Sequence, residues 1–114
     1  MPTFKQIAAK MAKLTFHYEG DEENPPLTIA IVYYPNKFTA EVAARAQTGD
    51  MSDKEYFPTL IKSWNIYEDE EETEMTPIEH IDKFGVDFKQ RLAGAIGEDL
   101  RPNLGTPQNG NKPN

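Results

Sequence analysis

Ser63-Trp64-Asn65-Ile66-Tyr67 runs into the acidic segment Glu68-Asp69-Glu70-Glu71-Glu72-Thr73-Glu74, and that into Met75-Thr76-Pro77-Ile78-Glu79. The lone tryptophan closes an apolar pattern, Phe57, Leu60, Ile61 and Trp64, whose spacing is that of one helix face. The acids behind it form a charged turn that belongs in water. Thr76-Pro77-Ile78-Glu79 then reads as a helix start: threonine caps, proline takes the first helical position and glutamate the third. The stretch therefore predicts a helix, an exposed acidic loop and a second helix.

Upstream, Phe4 to Ala12 carries Phe4, Ile7, Ala8 and Met11 at helical spacing and predicts a short helix. The period then changes to two. Leu14, Phe16 and Tyr18 alternate with Thr15, His17 and Glu19, which is strand spacing. Gly20-Asp21-Glu22-Glu23-Asn24-Pro25-Pro26 breaks the chain, and Leu27 to Tyr34, rich in Ile, Val and Tyr, predicts a second strand. A two-stranded ribbon is marginal alone, so helices must cover one of its faces.

Thr39 caps a helix predicted over Ala40 to Gln47, and Thr48-Gly49-Asp50 stops it. Ser52-Asp53-Lys54-Glu55 has capping-box spacing. Pro58 conflicts with one straight helix from Asp53 onward, because it lacks an N–H and clashes with the preceding turn. The preferred reading is a short turn at Ser52 to Tyr56 and a main helix over Pro58 to Ile66. After the acidic loop, a short helix runs to about Lys83 and ends at Gly85. A last helix spans about Val86 to Leu100, with Phe88, Leu92, Ile96 and Leu100 four apart on one face. Asn103 to Asn114 holds one large apolar residue, Leu104, and predicts a disordered polar tail or linker.

The expected architecture is thus α+β: a short N-terminal helix, a two-stranded β-hairpin, a bundle of about four short helices and a disordered C-terminal tail. One domain covers residues 1–102 and the tail residues 103–114. With 114 residues, 38% of them hydrophobic, the chain can build one core if nearly all its apolar side chains are used.

Charge narrows the partners. Twelve basic and nineteen acidic side chains give a net charge of −7. Such a surface repels a phosphate backbone and an anionic membrane, and no basic stripe offsets it. The absence of cysteine removes disulfides, thiol catalysis and zinc–thiolate sites and suits a reducing compartment. Met1-Pro2-Thr3-Phe4-Lys5 leads into no long apolar stretch, so neither a signal peptide nor a membrane span is expected.

No motif announces chemistry. The acidic run lacks the spaced ligands and turn glycine of a calcium loop and reads as a solvated loop. His17 and His80 have no metal-ligand spacing with their nearest acids, and Ser52 and Ser63 lie in no nucleophile motif. The expectation is a non-enzyme without cofactor or metal. Its apolar stripes, Tyr56, Phe57, Leu60, Ile61, Trp64, Phe88 and Leu92, are candidate partner contacts as well as candidate core. Trp64 and Tyr56 are favoured as contacts, because aromatics are enriched at binding hot spots.

Three stretches resemble the tail assembly chaperones of long-tailed (siphovirus-type) bacteriophages. The strand Leu27 to Tyr34 leading into Pro35-Asn36-Lys37-Phe38-Thr39 is similar to that family's strand, Tyr-x-Pro and helix-capping Thr. Leu60-Ile61-Lys62-Ser63-Trp64-Asn65-Ile66 resembles its helix ending in Ser-Trp-Asp plus an acidic turn. Met75-Thr76-Pro77-Ile78-Glu79 and Gly94-Ala95-Ile96-Gly97-Glu98-Asp99-Leu100-Arg101-Pro102 resemble its closing helices. The likeness spans roughly residues 4 to 102; this chain departs from it at Asn65, where an acid is common, and in its longer acidic run.

The resemblance implies a non-enzymatic chaperone in the host cytoplasm, absent from the mature virion. It implies binding to the tape-measure protein, whose long helices it keeps soluble until tail-tube subunits assemble. It also implies recruitment of the tail-tube protein, in many such phages through an extension added by a programmed frameshift. Homo-oligomers are compatible with it. A structural tail or head-tail component of the virion, or an acidic inhibitor or DNA mimic, stands as the alternative.

Overall fold

Thr3 opens the first helix, accepting a bond from the Gln6 backbone N–H while the Gln6 side chain accepts one from the Thr3 N–H. In the structure, a computed structural model that describes residues 1–69 and 75–101, this helix, α1, is Phe4–Ala8. It is shorter than the expected Phe4 to Ala12, because Ala12 already belongs to strand β1, Ala12–Tyr18. Strand β2, Leu27–Tyr33, pairs antiparallel with β1 in a register that sets Thr15 opposite Ala30 and Phe16 opposite Ile29. Between them the Asp21 carboxylate accepts the backbone N–H groups of Glu23 and Asn24, which turns the chain without a tight hairpin.

A 3-10 turn, Pro35–Lys37, leads to helix α2, Ala40–Thr48, capped by Thr39 at one end and by left-handed Gly49 (φ 84°) at the other. Helix α3 is Asp53–Leu60. This reverses the expected order around Pro58. The helix lies before and through the proline and stops two residues later, where a main helix over Pro58 to Ile66 was expected. The Ser52–Glu55 pair nucleates the first turn, with the Glu55 carboxylate accepting the Ser52 N–H at 3.3 Å. The turn then ends on the Ile61 N–H, which donates to the Phe57 carbonyl.

From Ile61 the chain is extended. Strand β3, Ile61–Trp64, joins β2 antiparallel and makes the sheet three-stranded, in the order β1-β2-β3. The α+β class stands, but the hairpin gains a third strand where a helix was expected. Tyr33 pairs with Ile61 and Val32 with Ser63, so Lys62 is an extra residue on one side. This bulge puts Ile61 and Trp64 on the same face although they are three apart. A strand with one bulge thereby imitates the spacing of a helix.

Asn65 prolongs the ladder with its side chain. Its carboxamide oxygen accepts the Ala30 N–H at 2.9 Å and its amide nitrogen donates to the Thr28 carbonyl at 3.1 Å. An ionised aspartate can only accept, so the amide makes two bonds here where a carboxylate would make one.

A 3-10 helix, Ile78–Lys83, precedes helix α4, Val86–Leu100. The short helix read from Thr76-Pro77-Ile78-Glu79 is present with 3-10 geometry, but Thr76 is not its cap. Pro77 occupies the cap, and Thr76 is buried with its backbone tied to Ile66 and its hydroxyl to Glu68. Helix α4 covers the sheet with Phe88, Leu92, Ala95, Ile96 and Leu100, in agreement with its predicted stripe. The core combines these with Phe16, Ile29, Ile31, Tyr33, Phe57, Leu60, Ile61, Trp64, Ile78 and Ile81. An edge-to-face series of rings runs through it: Trp64 on Phe84 at 5.6 Å, and Phe88 on Tyr18 at 5.2 Å, with Phe84 and Phe88 tilted together at 4.8 Å. The tail expected at 103–114 lies outside the described residues.

Asn65→Asp tests the third strand. At neutral pH it destabilises the fold by about 0.5–1.5 kcal/mol, because a donor is lost and a carboxylate faces the Thr28 carbonyl. The difference from wild type shrinks in acid, where a protonated carboxyl can both accept and donate; paired urea titrations at neutral and acid pH measure both.

Candidate functional site

Helix α2 presents only a small apolar face, Val42, Ala43 and Ala46, and buries no side chain completely. It therefore stands apart from α3 and α4, leaving an open cleft of about 350 Å³. Ala46 and Met51 form one wall, Tyr56 and Phe57 the floor, and Val86 and Ala93 the other wall. Met51 is held by its N–H on the Arg45 carbonyl at 3.2 Å. Tyr56 packs edge-to-face on Phe57 at 5.2 Å and on Phe38 at 6.4 Å, and burial pushes its hydroxyl above the ordinary tyrosine range. Val86 is 64% exposed at the start of α4.

The polar rim is built by Lys89, which reaches across to Asp53 at 2.9 Å and to Asp82 at 3.7 Å. The bond to Asp53, with the charges of both acids, holds the ammonium above its ordinary range against the opposing effect of burial. This pair ties α3 to α4 and closes one end of the cleft. The arrangement suits an apolar side-chain row, with the Lys89–Asp53 pair as its charged rim.

Of the seven contact residues expected from sequence, six are interior. Phe57, Leu60, Ile61, Trp64, Phe88 and Leu92 are all buried, and only Phe57 among them also borders the cleft. Tyr56, half-buried, is the one with a surface to offer. Trp64, favoured as a contact, is instead locked inside, donating its indole N–H to the Thr76 carbonyl. Met51, Val86 and Ala93 were not singled out. Their only signals were an apolar residue just past the helix-stopping Gly49, and Val86 standing off the four-residue stripe of α4.

The acidic loop is anchored at its described end. Glu68 accepts the Thr76 hydroxyl at 3.2 Å and the Lys83 ammonium at 3.2 Å, and Tyr67 bridges to Met75. Residues 70–74, the rest of the expected acidic loop, lie outside the described residues. Among the described residues no three potential ligands converge on a metal position, and no helix is long and apolar enough to cross a membrane. His17 lies on the open face of the sheet beside Thr28, and His80 is exposed on the 3-10 helix.

No protein-family model matches this chain, and no curated protein or solved structure matches it either.

The Lys83 bond, then the Thr76 hydroxyl, hold the Glu68 carboxyl below its ordinary value of 4.5. The stabilising effect of this clasp is therefore present above that value and is lost as pH falls through the lower, folded-state value. Carbon-detected NMR titration should give Glu68 a midpoint below 4.5, and Lys83→Met should move that midpoint upward.

Proposed function

We propose that this chain is a non-enzymatic tail assembly chaperone of a long-tailed bacteriophage. It binds the helical tape-measure protein in the host cytoplasm, keeps it soluble, helps recruit tail-tube subunits and leaves before the virion matures. The order of the three resembling stretches supports the family. The observation that carries the mode of binding is the open apolar cleft between α2, α3 and α4.

A long helix with an exposed apolar stripe aggregates through that stripe. A groove of matching chemistry takes up its side chains at positions i, i+3 or i+4 and i+7. Met51, Tyr56 and Val86 supply the apolar contacts here. The net charge of −7 is then added to the complex, which keeps complexes apart. Binding of this kind stays shallow, with modest affinity at each site, so that polymerising tube subunits can displace it.

Co-expression with the tape-measure protein of the same phage should raise the soluble fraction of that protein and yield a co-purifying complex. Val86→Glu, at an exposed position that contributes little to the core, should weaken co-purification by about tenfold with an unchanged melting temperature. A tape-measure protein that is equally soluble alone, and never co-purifies, would exclude the proposal.

A further inference from the structure

Strand β2 is bonded on both sides, which leaves the outer side of β1 as the longer free edge of the sheet. Which β1 residues face that edge follows from the other side of the ladder. The Ala30 N–H and carbonyl are both engaged by Asn65, and the Thr28 carbonyl is as well. These even-numbered residues of β2 thus turn their backbone toward β3. Alternate residues of an antiparallel strand bond opposite neighbours, so Ile29, Ile31 and Tyr33 bond Phe16, Leu14 and Ala12. Lys13, Thr15 and His17 consequently turn their N–H and carbonyl groups outward. Among the described residues no backbone or side-chain group bonds them.

Helix α4 lies along the same edge and runs opposite to β1. Tyr18 donates to Asp87 at one end, and Tyr33, paired with Ala12, donates to Asp99 at the other. Strand and helix rises of about 3.3 and 1.5 Å per residue make these two spans nearly equal, near 20 Å. The middle of β1, Thr15, therefore faces the middle of α4. There Arg91, Ala95 and Glu98 border a second hollow with Leu14 and Phe16, of about 420 Å³, open to the edge. Arg91 is held over the Phe16 ring, its guanidinium 5.2 Å from the ring centre.

We propose that two copies of this chain pair antiparallel along β1, about a two-fold axis beside Thr15, into one continuous sheet of twice the width. The strand is complementary to itself under that operation. Leu14 comes opposite the partner's Phe16 and Ala12 opposite the partner's Tyr18, all on the core face. On the open face Lys13 meets the partner's His17 and Thr15 meets the partner's Thr15. The same axis sets the two α4 helices antiparallel and brings Arg91 toward the partner's Glu98, and the reverse, across the small Ala95. An isologous contact needs this reciprocity, and here charge supplies it. The segment 102–114 is a poor rival for the edge. Pro102, Pro107 and Pro113 lack ladder donors, and its Gly and Asn residues are disfavoured in strands. The inference does not depend on the function proposed above.

Light scattering and amide exchange on the full chain, up to about 1 mM where even a weak pair registers, test it. Twice the 12.9 kDa chain mass is expected, with the amides of Lys13, Thr15 and His17 protected more as concentration rises. Arg91→Glu, which sets two acids against each other, should weaken association at least about tenfold. Adding Glu98→Arg to it should restore association. Thr15→Pro, which removes an outward N–H the monomer does not use, should abolish it. A chain that stays monomeric overturns the proposal. So does a dimer whose three amides exchange freely, or one indifferent to Arg91→Glu and Thr15→Pro, because another face then joins the copies. Protection of those amides that does not vary with concentration assigns the edge to an intramolecular strand and overturns it equally.

Discussion

The pairing of β3 with β2 is the contact on which the rest of the structure depends. It sets Trp64 opposite Ile31 on the inner face, where the indole is buried and bonded to the Thr76 carbonyl. That bond returns the chain after the acidic loop to the sheet, so the 3-10 helix and α4 start from a defined place. Without the third strand, β1 and β2 would be a marginal ribbon with α4 laid on a narrow support. With it, the sheet is wide enough to bury Ile78 and Ile81 as well as the stripe of α4. Full burial of each such side chain contributes roughly 1.5–3 kcal/mol.

The two ends of the fold differ in how tightly they are held. Tyr33, completely buried, donates its hydroxyl to Asp99, and burial together with that bond pushes the phenol well above its usual range. Sheet and α4 are thereby tied at one end by a part-buried polar contact. Among the described residues helix α2 has no comparable anchor. Its small side chains reach no neighbour deeply, and the cleft beside it stays open. Open cleft and rigid core are thus separated along the chain: small side chains on α2 beside the cleft, large apolar ones where the fold is held.

The distribution of charge follows the same division. Lys89 with Asp53 and Asp82, and Lys83 with Glu68, spend their charges on joining elements. Arg91 and Glu98 are exposed beside the free edge of β1. An acidic chain that keeps a base and an acid reciprocally placed there carries a pattern suited to its own copy.

The sequence by itself determined the α+β class, both strands of the hairpin, the limits of α2 and the whole of α4. Each of these depends on a local signal: alternation, a capping threonine, a stopping glycine or a four-residue stripe. It also marked the apolar residues of the core, because burial follows hydrophobicity wherever the period is unbroken. Only the tertiary structure decided the third strand and the cleft between α2, α3 and α4. Ile61 and Trp64 are three apart, and a bulge at Lys62 gives them a common face that a helix would give them too. A period cannot separate these readings, since the deciding bonds go to β2, some thirty residues away. The cleft was hidden for a similar reason. Met51, Tyr56 and Val86 come from three segments, and only Tyr56 stands out in its own window; their meeting is a property of how α2, α3 and α4 pack.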